Sequence, residues 1–209
     1  MKTILLHPSY FPSIAQFSAM VQAENVVFEI EDNYQKQTYR SRTYIAHSNG
    51  VLLLNIPVKH SNNGSKLKTK DVQVENAFPW QSQHWKSLQS AYRTSPYFEF
   101  YEDDLKPLFE VEVTSLLDFN MNAFHLICEL LDIEINHTFS EEYFKNPKQT
   151  DLRFLTNPKL KKDFKLQAYT QVLNKTGEFI PNLSILDLLF NEGPNAVNYL
   201  ESQPLDFTI

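Results

Sequence analysis

Residues 3–30 read TILLHPSYFPSIAQFSAMVQAENVVFEI, and the order of signals in them decides the fold class. Thr3 to Leu6 is an apolar run of strand length that feeds the loop HPSYFPS. Ser13 then offers a side-chain oxygen to the free N–H groups that open a helix, IAQFSAMVQAE, with Ile14, Phe17, Met20 and Val21 on one face. Val26 to Ile30 is the second apolar run. Strand, loop, helix and strand in that order predict a βαβ-like start and put the loop at the carboxyl end of the first strand, a common ligand position. His7, Tyr10 and Gln16 are its polar candidates for catalysis or binding. The loop has no glycine, so it carries neither a dinucleotide fingerprint nor a phosphate loop. Tyr10 also stands where a nucleotidylyl-transfer motif needs its second histidine.

The next stretch outward is chemically lopsided. Residues 33–70, NYQKQTYRSRTYIAHSNGVLLLNIPVKHSNNGSKLKTK, hold no Asp or Glu. Lys36, Arg40, Arg42, Lys59, Lys66, Lys68 and Lys70 give it +7 in a chain of net charge −6, so everything outside it sums to −13. From Thr38 to Ala46 the residues alternate with a period of two, which predicts a strand with Arg40 and Arg42 on one face, about 7 Å apart. His47-Ser48-Asn49-Gly50 predicts a hairpin turn, and Val51 to Val58 a return strand apolar enough to be buried on both faces. Pro57 cannot donate to a ladder, so it is expected to end the pairing or to lie on the unpaired side, and Lys59 and His60 follow at the strand end. Two arginines on one face can grip a phosphate or carboxylate through paired, charge-assisted hydrogen bonds. The hairpin is therefore expected to be an anion site. The plainer alternative is a solvated face whose charges pair with acids elsewhere. Replacing both arginines with alanine is expected to leave the fold intact and to abolish anion binding.

Bulk properties bound the rest. With 209 residues, 42% hydrophobic and 13% aromatic, the chain can close a full core, and a single domain over residues 1–209 is expected. One cysteine excludes an intrachain disulfide; Cys128, in FHLICELL, reads as a small core residue rather than a nucleophile. The start MKTILL would suit a secretory signal, but its apolar run stops at His7-Pro8. No segment has the length of a membrane span, and a cytoplasmic protein is expected. A pI near 5.5 argues against general nucleic-acid binding.

Beyond Lys70, DVQVEN reads as a short strand, and Pro79 opens a helix from Trp80 to about Thr94. His84, Leu88 and Ala91 share one stripe of it, and Trp85 and Tyr92 another that is core-like. His84 is a further pocket candidate without a partner at metal-ligand spacing. No metal site is expected, and no motif names a cofactor. Leu105 to Leu131 reads as the longest helix, with Asp103 and Asp104 complementing its N-terminus. Ile133 to Phe139 reads as a strand and residues 140–165 as a solvated excursion that includes TDLR. Tyr169 to Leu173 reads as a strand and Gly177 as a turn. Ser184 with Asp187 suggests an acidic capping box for SILDLLFN, which Gly193-Pro194 ends. The expected class is α/β (mixed α+β), with a basic hairpin and a helical C-terminal half.

LHPSYFPSIAQF, NYQKQTYRSRTYI, IPVKH, WQSQHWKSLQSAY, SPYFEFY and NLSILDLLFNEGP occur in that order over nearly the whole chain. Together they resemble the WbqC-like protein family. The resemblance implies a cytoplasmic bacterial protein associated with O-antigen or other surface-polysaccharide assembly, and it brings no catalytic residues to carry over. Two functions are weighed on that basis. One is a transferase that moves an acyl or aminoacyl group onto an activated amino sugar such as a nucleotide sugar. Arg40, Arg42 and Lys59, with Lys36 in the same cationic set, would neutralise its phosphates, and His7 or His60 would serve as general base. The other is a non-catalytic protein that holds a glycan precursor or another enzyme of the pathway. A cleft with a histidine beside the arginines favours the first, a flat basic face the second.

Overall fold

A computed structural model describes residues 2–60, 66–160, 162–173 and 178–207. Strands β1 (Thr3–Leu6) and β2 (Asn25–Phe28) pair in parallel, joined through helix α1 (Ile14–Val21), so the βαβ start holds. Ser13 caps α1 by accepting from the Gln16 N–H. The helix is buried on every side from Ile14 to Met20, a sign that it lies between two layers.

The basic stretch folds into a hairpin one step later than its alternation suggests. Strand β3 (Arg42–His47) pairs antiparallel with β4 (Gly50–Asn55), and Ser48-Asn49 makes the turn. Gly50 has φ +111°, a conformation costly for a residue with a Cβ. Residues 38–41 do not join the strand, because other segments claim their backbone: the Tyr39 carbonyl accepts from Tyr10 N and the Tyr39 N–H donates to Thr156 O. Arg40 and Arg42 therefore do not share a strand face. Nor is the return strand buried on both faces, since Val51 and Leu53 are exposed.

Helix α2 (Trp80–Tyr92) follows from Pro79 as expected, with His84, Leu88 and Ala91 buried. DVQVEN makes only isolated bridges, Val74 to Val58 and Gln73 to Ser115, after a 3-10 turn at Thr69–Asp71. The single long helix is instead two. Helix α3 (Phe98–Leu105) runs into a 3-10 turn around Pro107, and α4 (Leu116–Leu130) starts afresh where Ser115 accepts from Asp118 N. Pro107 and the β-branched Val111, Val113 and Thr114 disfavour a continuous helix; the Thr114 carbonyl accepts from Val74 N instead, and Leu116 N donates to Val72 O. Asp103 and Asp104 thus end α3 rather than open a longer helix.

Strand β5 (His137–Phe139) pairs with β2, and β6 (Thr150–Asp151) with β1, both in parallel. The sheet order is β5-β2-β1-β6. TDLR is consequently part of the sheet edge: Thr150 and Asp151 pair with β1 and stay exposed, while Leu152 is buried. Tyr169 to Leu173 forms no strand: the Gln171 side chain takes the place of a strand partner, exchanging two hydrogen bonds with the Ile180 backbone. Gly177 lies outside the described residues. Helices α5 (Ile185–Glu192) and α6 (Ala196–Ser202) pack on α1 and supply its second layer. Ser184 caps α5, but Asp187 makes no capping box. Its buried carboxylate accepts from Tyr92 (2.8 Å), Tyr169 and Gln171 (2.9 Å). Gly193, at φ +52°, stops the helix against the Tyr97 ring, where a Cβ would come within 2.5 Å. No described helix is long and apolar enough to cross a membrane.

Candidate functional site

Three strands of the parallel sheet end at one place. His7 follows β1, Glu29 to Asp32 follow β2, and Arg153 follows β6, so the carboxyl edge delivers a histidine, carboxylates and an arginine together. The segment before β3 brings Arg40 to the same edge. A cleft of about 290 Å³ opens there, with His7, Asp32, Thr38, Arg40, Tyr143 and Arg153 in its walls.

The local sequence fixes each group. Gln16, on the first turn of α1, is fully buried and donates Nε2 to the His7 carbonyl (2.9 Å), which pins the turn out of β1. Asn120 on α4 donates in the same way to the Arg40 carbonyl (2.8 Å). Arg40 is 2% exposed. Its Nη2 donates to Asp32 Oδ2 at 2.6 Å and to His7 Nε2 at 2.6 Å. A guanidinium can only donate, so His7 Nε2 must be the bare acceptor and Nδ1 the protonated nitrogen. Nδ1 faces the Glu29 carbonyl at 3.4 Å, as that tautomer requires. Burial, and then the Arg40 charge, hold the His7 imidazole well below its usual range, so it is a neutral base at neutral pH. Burial raises the Asp32 carboxyl, against the pull of Arg40 and the hydrogen bond from Thr69 (2.5 Å).

The second arginine closes the other wall. Arg153 holds Asp151 through two bonds (2.6 and 2.8 Å), reaches the fully buried Glu29 at 3.4 Å and lies over the Tyr143 ring at 5.3 Å. Glu29 is otherwise satisfied by Ser140 Oγ and Glu31 N. Lys68 and Lys70 meet Glu31, the latter at 2.5 Å. The acids of FEIED at the end of β2 thus collect three of the seven cations of residues 33–70, and Arg153 besides.

Of the residues singled out in the sequence, the cleft contains His7 and Arg40. Gln16 positions the His7 loop without lining the cleft. Tyr10 and His84 are buried against each other, the Tyr10 hydroxyl 2.9 Å from His84 Nδ1, inside an aromatic cluster with Trp80 and Phe119. Burial pushes His84 down to about 4, and it serves the core rather than a pocket. Lys36 and His60 contact each other on the exposed surface at 2.8 Å. Arg42 donates to Asn55 at 2.9 Å, Lys59 is exposed, and none of these four lines the cleft. Arg40 is too deeply placed for its removal to leave the fold untouched, because Asp32 would be left as an unpaired buried carboxylate. The residues missed in the sequence are Asp32 and Arg153 in the cleft wall and Glu29, buried behind Arg153. Three acids in four residues after an apolar run was a usable signal for Asp32 and Glu29. Arg153 sat in a polar run with nothing to distinguish it.

Burial also raises the Cys128 thiol to about 12, which fits a core residue. Comparison with known proteins bears on the chain as a whole. The model of the WbqC-like protein family matches residues 7–163 and 160–199. A relative from Mycobacterium tuberculosis (strain ATCC 25618 / H37Rv), named Uncharacterized protein Rv1507c, is 23% identical over 226 residues, spanning 95% of this chain and 97% of its own. No solved structure matches.

Proposed function

The chain belongs to the WbqC-like protein family, and from that membership and the cleft we propose a single-domain cytoplasmic transferase of bacterial surface-polysaccharide assembly. Its ligand is an activated amino sugar, such as a nucleotide sugar, onto which it moves an acyl or aminoacyl group. The observation that carries this reading is the contact of one Arg40 nitrogen with both His7 Nε2 and Asp32 Oδ2 in a cleft wall. An anionic ligand group draws the guanidinium toward itself and frees the His7 lone pair. His7 then accepts the proton released as the acceptor's amine attacks the donor carbonyl carbon, and the donor's leaving group departs with the electrons of its bond. The cleft favours this over the scaffold reading, in which the chain holds a precursor or another enzyme of the pathway, since a flat basic face needs no histidine beside an arginine.

A thermal-shift panel of nucleotide sugars, nucleotides and acyl or aminoacyl donors tests the ligand class. A ligand at one hundred times its dissociation constant stabilises by about 2.7 kcal/mol. The expected hit is lost in Arg153→Ala and kept in Arg42→Ala, and His7→Asn keeps binding but loses turnover. A hit lost in Arg42→Ala and kept in Arg153→Ala would return the site to the hairpin. A blank panel would favour the scaffold.

A further inference from the structure

The opposite end of the parallel sheet carries a pair of imidazoles that the cleft does not use. His137 opens β5 beside Val26, at the amino end of the strands, and His125 projects from the third turn of α4. Their Nε2 atoms lie 3.3 Å apart. The His137 ring is wedged among Phe28, Phe124 and Phe139, with centroids 5.8, 5.3 and 6.3 Å away. Its Nδ1 faces the Ile135 carbonyl at 3.0 Å. That carbonyl can only accept, so Nδ1 carries the proton and Nε2 presents its lone pair toward His125. A metal-bound histidine is commonly held this way, with the second nitrogen fixed by a backbone carbonyl.

The separation has a geometric meaning. Two imidazole nitrogens bound at about 2.0–2.1 Å to one tetrahedral ion stand roughly 3.4 Å apart. The two Nε2 atoms already have that spacing. Both rings border a cavity of about 490 Å³ whose other walls include Glu129 and Glu134. Glu129 follows His125 by four residues on α4, one turn along the same face. No group of three His, Cys, Asp or Glu side chains is already gathered for a metal among the described residues, so a third ligand has to come by rotation of a side chain. Cys128 borders the cavity too, but it is buried in the core.

We propose that His125 and His137 bind a divalent transition ion of the zinc type through their Nε2 atoms, with the Glu129 carboxylate turning in as third ligand and water as fourth. The ion ties α4 to the edge strand β5. The unliganded alternative is a plain N–H···N hydrogen bond between the rings, and it makes a different prediction.

The test is isothermal titration of the full chain with zinc chloride, alongside cobalt(II) absorption as a report on coordination. Wild type is expected to take up one zinc ion, with the visible cobalt bands of a tetrahedral nitrogen–oxygen site. His125→Ala and His137→Ala, both at sites with solvent contact, should each lose the bands and weaken binding by at least about tenfold. Glu129→Gln should weaken it less, and Cys128→Ser and His60→Ala not at all. Circular dichroism checks that each variant is folded. Should a variant unfold, His137→Gln and His125→Gln replace it. No zinc uptake by wild type, or uptake unchanged in a folded His125 or His137 variant, overturns the site. Neither outcome bears on the ligand panel for the cleft, which lies at the other end of the strands.

Discussion

Arg40 and Arg42 are two residues apart and belong to different worlds. Arg42 opens β3 and donates to the side-chain amide of Asn55 on the paired strand. Arg40 is buried, shared between a carboxylate and an imidazole, and its backbone is held by Asn120. Counting charges along the chain treats them as one cationic face, but folding separates them. What decides a charge's role is the partner brought to it. Asp32 stands immediately before the acid-free stretch, and its pairing with Arg40 turns sequence segregation into spatial neutralisation.

The sharpest way to break the comparison is to truncate each arginine. Arg40→Ala leaves Asp32 buried without its partner, and is expected to cost about 3–5 kcal/mol. Urea unfolding followed by circular dichroism measures it. A double-mutant cycle with Asp32→Ala should show strong coupling, since removing both ends removes the uncompensated charge. A loss below about 1 kcal/mol for Arg40→Ala would place the pair among surface ion pairs.

Acid should act on the buried side of the comparison next. His7 and His84 both have folded values below their ordinary 6.5, through burial first. The unfolded chain therefore takes up protons before the folded one as pH falls through 6.5, and stability present above that pH is lost below it. For His84 the window runs from 6.5 down to about 4, worth on the order of 3 kcal/mol at 1.36 kcal/mol per unit. Asp32 and Asp187, raised by burial, act in the opposite sense at the acid end and offset part of the loss. Denaturation midpoints at pH 7 and pH 4.5 check the sign. His84→Gln should reduce the difference between them, and a wild type equally stable at both would refute the assignment.

Arg153→Ala comes third, at about 1–3 kcal/mol for the lost charged hydrogen bonds. Glu29 keeps Ser140 and the Glu31 N–H, so its burial stays tolerable. The more telling readout is limited proteolysis of residues 140–152, because Arg153 holds the Phe144 carbonyl and the Tyr143 ring. Cleavage there that speeds up by more than the loss of global stability accounts for is the expected pattern.

These effects also mark what the sequence could disclose. The cap at Ser13, the hairpin turn and the Pro79 helix start were legible because each rests on neighbours within four residues, and the βαβ start because strand, helix and strand follow one another directly in the chain. The break between α3 and α4 was not, since Pro107 and the Val111–Thr114 run looked tolerable inside a strong apolar period. The displaced start of β3 was hidden for another reason: Tyr39 gives its backbone to residues 10 and 156. Of the site, His7 was visible from its place after β1. Arg153 was not, because only the pairing of a two-residue strand, Thr150–Asp151, with β1 brings it to the cleft.

The smallest effect completes the comparison. Arg42 is half-buried and donates to a neutral partner, Asn55, so Arg42→Ala should change stability by no more than about 0.5 kcal/mol. Its charge is free to act at a distance, however, as Arg40's is not. If the hairpin still steers anionic ligands toward the molecule, Arg42→Ala should slow association modestly at low salt and leave dissociation unchanged, with the difference vanishing as salt screens the field. Stopped-flow association at two ionic strengths, run on any ligand found for the cleft, separates the cases. A change in dissociation rate would mean that Arg42 touches the bound ligand, and would join to the cleft an arginine that its geometry leaves out.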